Sequence, residues 1–365
     1  MKKNLALLIH KFPLIYSIVY QTTLFLAHKR RVGNTLRIPA QRRHFRRSTV
    51  IASPGHIGFA GGICNPGAVI SNDSGLILLA KGQVCHWWDA VGAKADLYYV
   101  GSPVVFRLDH EMYATSSHAV KNLDGFSKVG RVGYEDFRMF RYNEEIWVNH
   151  SMVPLIKKNA CVWTFHETKP CLSRLESDYE CLTFLGHPQL DFPVNQIEKN
   201  WIYLESDGEL LLFYSFSPLR VLKLTDRAEL RFSTVINHAL PTPLGDIGGY
   251  GTMVSFSTNP IEYDENHLLL VVHQIERSRW VDRCYHQWGI LLDKISLLPS
   301  KYSAKPLFDS LGARGRMAGI LYVASVINMN DDFIFFCGEG DAYITRVTVS
   351  KKELDELWVN VSQSN

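Results

Sequence analysis

The sequence predicts an all-β protein: a five-bladed β-propeller over residues 48–365, with a helical, basic N-terminal arm over residues 1–47. Three observations predict it. Long helical periodicity is missing after residue 47. Five hairpin patterns follow, spaced by about fifty to seventy residues, the period of a four-strand repeat unit. A polar or glycine-rich motif precedes each hairpin, which a two-sheet sandwich, the alternative all-β arrangement, leaves unexplained.

The arm comes first. Residues 1–47 hold eleven Lys or Arg, and no acid appears before Asp73. Removing those eleven from the 39 basic residues leaves 28 against 36 acids, so the remainder carries −8 although the whole chain carries +3. Leu5, Leu8, Phe12, Ile15, Val19 and Phe25 recur at three- or four-residue steps with one longer skip, as on an amphipathic helix. The uncharged run 12–27 is sixteen residues long and contains Pro13. At ~1.5 Å per residue it falls short of a ~30 Å hydrocarbon core. No small-residue cleavage site follows, so it does not read as a signal peptide. The cluster Lys29, Arg30, Arg31, Arg37, Arg42, Arg43, Arg46 and Arg47 comes next. Two readings stand: a helix lying peripherally on an anionic membrane surface, or one packed on the propeller wall beside a solvated basic linker.

The body follows as strand, turn, strand. "GAVISNDSGLILLAKG", "DFRMFRYNEEIWVNHSMV", "NWIYLESDGELLLFYSFS", "TMVSFSTNPIEYDENHLLLVVHQ" and "GILYVASVINMNDDFIFFCGEG" each read as a hairpin around a Gly, Asn or Asp turn. Third strands are visible in "SPVVFRL", "RVLKLT", "HQWGILLDK" and "YITRVTV". Seven scattered cysteines include no C-x-x-C pair, and no Cys/His group has zinc spacing, so reduced thiols in a cytoplasmic protein and no metal ligand set are expected. Neither a dinucleotide fingerprint nor a P-loop is present, and no nucleic-acid partner is expected.

In a propeller the innermost strands line one channel, so polar residues near their starts converge although far apart in sequence. The motifs in question are "GGICNPG" (61–67), "GYEDFR" (133–138), "IEKNW" (197–201), "GGYGT" (248–252) and "RGRMAG" (314–319). Such convergence makes a ligand funnel, with glycines permitting close backbone approach. Glu135 and Asp136 are consecutive, so strand alternation sends them to opposite faces and only one into the funnel. A plain ion pair with Arg138 is the structural alternative for Asp136.

Taken in order, N-P-G, E-D-F-R, E-K-N-W, G-G-x-G-T and G-x-x-D resemble glycoside hydrolase family 130 and the related β-1,2-mannosyltransferases, over residues 56 to 348. The resemblance implies five-bladed propellers acting on β-mannosides, mostly inverting phosphorylases. It implies that Asp136 is the catalytic acid, relaying a proton through a sugar hydroxyl to the leaving oxygen, with Glu135 and Arg138 beside it in the substrate site. It places Lys199 on the anion-binding side, Asn65 and Asp341 on sugar hydroxyls, and His273 and His286 near the acceptor. Trp201 is either a sugar-stacking residue or core.

The departures bear on the reaction. Lys81 stands where many members have arginine, Phe137 replaces the proline of E-D-P-R, and Tyr250 interrupts R-G-G-T. Arg174 is the sole arginine between Tyr142 and Asn195, where typical phosphorylases clamp phosphate with an arginine pair. An inverting glycosyltransferase of glycan biosynthesis is therefore expected, using a sugar-nucleotide donor such as GDP-mannose, or mannose 1-phosphate or phosphate, and an oligosaccharide acceptor. A β-mannoside phosphorylase or hydrolase and a non-catalytic carbohydrate-binding propeller are the alternatives. For hydrolysis, Asp341 or Asp246 is the candidate second carboxylate.

Overall fold

The computed structural model describes residues 48–361, apart from residues 60, 72–74, 84–100, 124–131, 160–161, 166–167, 242–243, 277–283, 310–312 and 314–319. The arm and the "RGRMAG" motif lie outside the described residues. Among those described, no helix is long and apolar enough to cross a membrane.

Five antiparallel sheets follow one another around a ring. Blade I contains Gly62–Ile70, Leu76–Gln83, Gly101–Leu108 and Ala114–Ala119 in that order from the inside out. Blade II starts from Val132–Tyr142 and Glu145–Asn159, blade III from Ile202–Ser206 and Glu209–Ser215. In blade IV the inner position is shared by Val254–Phe256 and Ile261–Glu262, both paired with His267–Glu276. Blade V has Leu321–Met329, Asp332–Glu339 and Tyr343–Ser350, and its outermost strand is Thr49–Ala52, from the other end of the described chain. Each of the five sequence hairpins is thus the inner pair of one blade.

The local chemistry explains these pairs. Tyr142 and Glu145 are joined by Asn143 and Glu144, both left-handed, and Ser206 and Glu209 by left-handed Asp207 and Gly208. Two successive positive φ values give a two-residue turn whose twist matches that of the strands. Apolar residues on both faces of the strands then fill the gaps between blades. One cluster sits between I and II (Leu79, Phe137, Val148) and one between II and III (Phe140, Trp147, Tyr203). Others lie between III and IV (Phe213, Phe256, Ile290), between IV and V (Val271, Phe333, Phe335) and between V and I (Leu78, Phe106, Phe336). Five filled gaps close the ring, and non-directional apolar burial is what holds the blades side by side.

Short edge strands are added outside. Lys121–Leu123 and Gln189–Leu190 run parallel to the outer strands of blades II and III, and Trp358–Asn360 pairs with Pro299–Ser303 of blade IV. Between blade V and that tail lies the helix Lys351–Asp355, opened by a capping box of Ser350 and Glu353. None of the five described cysteines is in a disulfide.

Candidate active site

The inner strands are not regular. The ladder shifts register between Cys64 and Gly67 in blade I, between Glu135 and Arg138 in blade II, and between Val323 and Ser325 in blade V. Blade III has left-handed Asn200 just before its inner strand, and blade IV breaks its inner strand at Ser257–Asn259. Asn65, Asp136, Asn200 and Asp341 all have φ between 53° and 64°. Asn and Asp tolerate that region because their short polar side chains bond locally. A bulge of this kind re-aims a side chain out of strand alternation. Gly67 permits it in blade I, where a Cβ would meet the Phe137 carbonyl at 2.8 Å; Gly338 of blade V leaves room for Asn65, whose Oδ1 would lie 2.4 Å from an added Cβ.

The re-aimed groups gather around Lys81. Asn65 Nδ2 donates to Asp136 Oδ1 at 3.1 Å, and Lys81 Nζ lies 3.5 Å from Glu135 Oε1. Burial favours the neutral amine of Lys81, but Glu135, Cys64, Asp341 and Asp136 outweigh it, and the pKa is raised. Gln83, buried, donates to the Asp341 backbone carbonyl at 3.0 Å and fixes the turn that carries this carboxylate. Three carboxylates thus surround one buried ammonium. Alternation predicted opposite faces for Glu135 and Asp136; the bulge places both within electrostatic reach of Lys81.

Below this cluster Arg138 fills the channel, 2% exposed. Its Nε donates to the Ser257 carbonyl at 2.8 Å, Nη1 to the Asp136 carbonyl at 3.2 Å, and Nη2 to Asn200 Oδ1 at 3.3 Å and to the Tyr322 hydroxyl. These partners belong to blades II to V. Arg138 therefore binds the main chain of Asp136, not its carboxylate, and the simple ion-pair reading of Asp136 fails. Four of its five N–H groups are thus engaged within the protein, at the floor of the funnel. Beyond it, toward the inner hairpin turns, a cavity of about 1490 Å³ is lined by residues such as Ile70, Arg141, Glu205, Asn259 and Asn328. Glu209 and Glu262 on its wall are paired with Lys223 and Lys294. The candidate acid–base groups converge instead around Lys81.

Solved structures show the same architecture. No family model and no curated protein matches the sequence. β-1,2-Mannobiose phosphorylase from Listeria innocua superposes with a TM-score of 0.59 at 16% identity, over 84% of this chain and 96% of that one. MPT-4, a mannose phosphorylase from Leishmania mexicana in complex with phosphate, gives 0.58 at 15% over 93% and 99%. MPT-1, a GDP-Man-dependent mannosyltransferase from the same organism, gives 0.58 at 10% over 84% and 89%. This chain shares their fold.

Within that propeller fold, the remaining sequence candidates divide. Lys199 is exposed beside Asn200 and near enough to His273 to affect its titration. Trp201 is 2% exposed, donates to Glu198 Oε2 and packs against Tyr214, so it is core and not a sugar platform. His273 is buried behind the funnel, bonded to Ser257 Oγ at 2.9 Å and packed against Tyr285 and Tyr322. It supports the wall of the channel. His286 lies on the blade IV rim, stacked on Tyr250 and paired with Glu276. Burial disfavours its charge, but Cys284 and Glu276 overcome this and raise its pKa to about 9. Asp246 is committed to the glycine loop, accepting from the Tyr250 and Gly251 amides at 2.8 Å and from Gln274. Those bonds, Gln274 first, lower its pKa and favour the ionised carboxylate. Arg174 is held by Glu145 and Glu176, outside the funnel cluster. Sequence reading missed Gln83, Asn200, Ser257 and Tyr322; of these only Asn200, an Asn inside a named motif, gave a signal.

Two buried histidines make stability acid-sensitive. The pKa values of His150 and His273 are pushed down to about 3, chiefly by burial, with His187 acting on the first and Lys199 and Arg138 on the second. The unfolded chain binds these protons below ~6.5, so the contribution is present above that pH and lost progressively toward the folded-state value. From pH 7.5 to 5 the two should together cost roughly 4 kcal/mol. Urea unfolding at both pH values should show this loss, with His150→Gln removing about half of it. An unchanged pH slope in that variant would remove His150 from the account.

Proposed function

We propose that the protein is an inverting glycosyltransferase that forms a β-mannosidic linkage in glycan biosynthesis. The carrying observation is the Asp136 carboxylate, aimed by a bulge, held by Asn65 and not neutralised by Arg138. In this reading that carboxylate accepts the proton of the acceptor hydroxyl, and a fold shared with mannoside phosphorylases and a mannosyltransferase supports it. The acceptor oxygen then bonds to the anomeric carbon from one face as the bond to the donor phosphate breaks on the other. The departing oxygen takes the electron pair, and exposed Lys199 offers its charge to it. Transfer is favoured over phosphorolysis because Arg174, the sole arginine of its segment, is already engaged by two glutamates.

The test is incubation of the pure protein with GDP-mannose or with mannose 1-phosphate, each with a mannoside acceptor, measuring extended product and released GDP or phosphate. Product from GDP-mannose is expected, and Lys199→Ala should raise the KM for that donor about tenfold or more, the loss of one charge-assisted contact. A second reading has one observation in its favour. Glu135 and Asp341 share the electrostatic surroundings of Asp136, as a hydrolase with two carboxylates requires. Mannose released from mannobiose in water alone would establish that reading, and release only with inorganic phosphate would establish phosphorolysis.

A further inference from the structure

The rim of blade IV carries a group of side chains that the proposed transfer does not use. Glu276 ends the strand His267–Glu276, and Cys284 begins Cys284–Asp293 directly opposite it in the antiparallel register. His286 follows Cys284 by two residues and therefore stands on the same face. One carboxylate oxygen, the cysteine sulfur and one imidazole nitrogen all lie within 4.8 Å of one another, with His286 Nε2 3.1 Å from Glu276 Oε2. Cys284 is 7% and Glu276 9% exposed. The His286 ring is oriented by Tyr250, centroids 4.6 Å apart and planes at 22°. Tyr250 is in turn fixed through its backbone amide by Asp246.

We propose that Glu276, Cys284 and His286 form a binding site for one divalent transition-metal ion of the zinc class. Tetrahedral zinc at ordinary N, O and S bond lengths holds its ligand atoms about 3.3–3.6 Å apart. The histidine and glutamate atoms, 3.1 Å apart, need to separate by only a few tenths of an ångström, and the sulfur, within 4.8 Å of both, closes the remaining gap of at most about 1.3 Å by side-chain rotation. Binding of the dication releases the ring proton of His286 and the thiol proton of Cys284, and the resulting thiolate, carboxylate and neutral imidazole around it sum to zero charge, which suits a nearly buried position. The mixed S, N and O set selects zinc or cobalt over the hard cations magnesium and calcium. Three protein ligands leave a fourth position for water or another oxygen ligand. Two ligands come from a Cys-x-His step on one strand and the third from its hairpin partner, a pattern that a search for C-x-x-C or H-E-x-x-H spacing does not detect.

The experiment is titration of the purified, reduced full-length protein with Co²⁺, following the thiolate-to-cobalt charge-transfer absorption. One equivalent is expected to bind, to show tetrahedral visible bands, and to be displaced by Zn²⁺. Cys284→Ser should abolish the charge-transfer band, while Cys171→Ser, a buried thiol in blade II, should leave it. His286→Ala and Glu276→Gln should each weaken Co²⁺ binding at least about tenfold, since even groups behind a metal's direct ligands cost that much. Absence of stoichiometric binding to the unmodified protein overturns the proposal without reference to any variant's folding. A band that survives in a folded Cys284→Ser protein overturns it equally, by assigning the metal to another thiol.

Discussion

Replacing Asp136 by Asn is expected to lower kcat by about 10²–10⁴-fold, the usual contribution of a positioned acid or base. The fold should be unaffected, for reasons specific to this position. Asp136 has φ 58°, a conformation that Asn adopts as readily as Asp. The bond from Asn65 Nδ2 at 3.1 Å needs only an acceptor oxygen, which the amide retains. What disappears is proton chemistry and one of the negative charges supporting Lys81. Turnover with the preferred donor, beside far-UV circular dichroism and binding of a mannoside, separates these effects. Near-normal turnover in a folded variant would end the assignment of Asp136 as the proton-transfer group.

Arg138→Met is expected to destabilise the protein by roughly 3–5 kcal/mol, as breaking a buried charged network does. Methionine keeps much of the apolar stem, so the loss isolates the guanidinium. The Ser257 and Asp136 carbonyls, Asn200 Oδ1 and the Tyr322 hydroxyl each lose a donor, and an orphaned buried acceptor costs about 1–3 kcal/mol. Urea unfolding at neutral pH measures the change. A loss below about 1 kcal/mol would mean that the blades hold the funnel in shape without this residue.

The blade count was legible because each inner pair combines a long apolar run with a turn whose residues accept positive φ, as at Asn143 and Glu144 or Asp207 and Gly208. The outer additions were not. Gln189–Leu190 and Trp358–Asn360 are too short for any periodicity, and what places them is a partner strand already folded. Within the site, Asn65, Glu135, Asp136 and Asp341 stood out as polar residues in glycine- or turn-rich motifs, and the structure draws them together. Their roles rest on the proposed chemistry. The period-two rule misled at Glu135 and Asp136 because it assumes an uninterrupted ladder, and Asp136 sits inside the bulge between Glu135 and Arg138. The burial of Trp201, Arg138 and His273 was not legible for a different reason: a motif names a neighbourhood, while packing decides which of its members face its interior. Gln83, 258 positions from Asp341, has a partner that no local pattern announces.

The strand Thr49–Ala52 makes the propeller's last seam from its two distant ends, with Thr49 paired to Arg346 and Val50 to Thr345. On a ribosome the N-terminal half of that seam emerges first and waits through the synthesis of all five blades. Until it docks, the outer edge of Tyr343–Ser350 is an open row of amides and carbonyls, able to recruit any extended chain, including the same segment of a neighbouring molecule. A contact across nearly the entire body carries a large entropy of loop closure, so it forms late and forms best on a ring already assembled. The seam therefore acts as a latch. A truncation that removes residues 48–52 deletes only a short strand from the finished shape, yet it leaves the ring without the fastening that joins its beginning to its end.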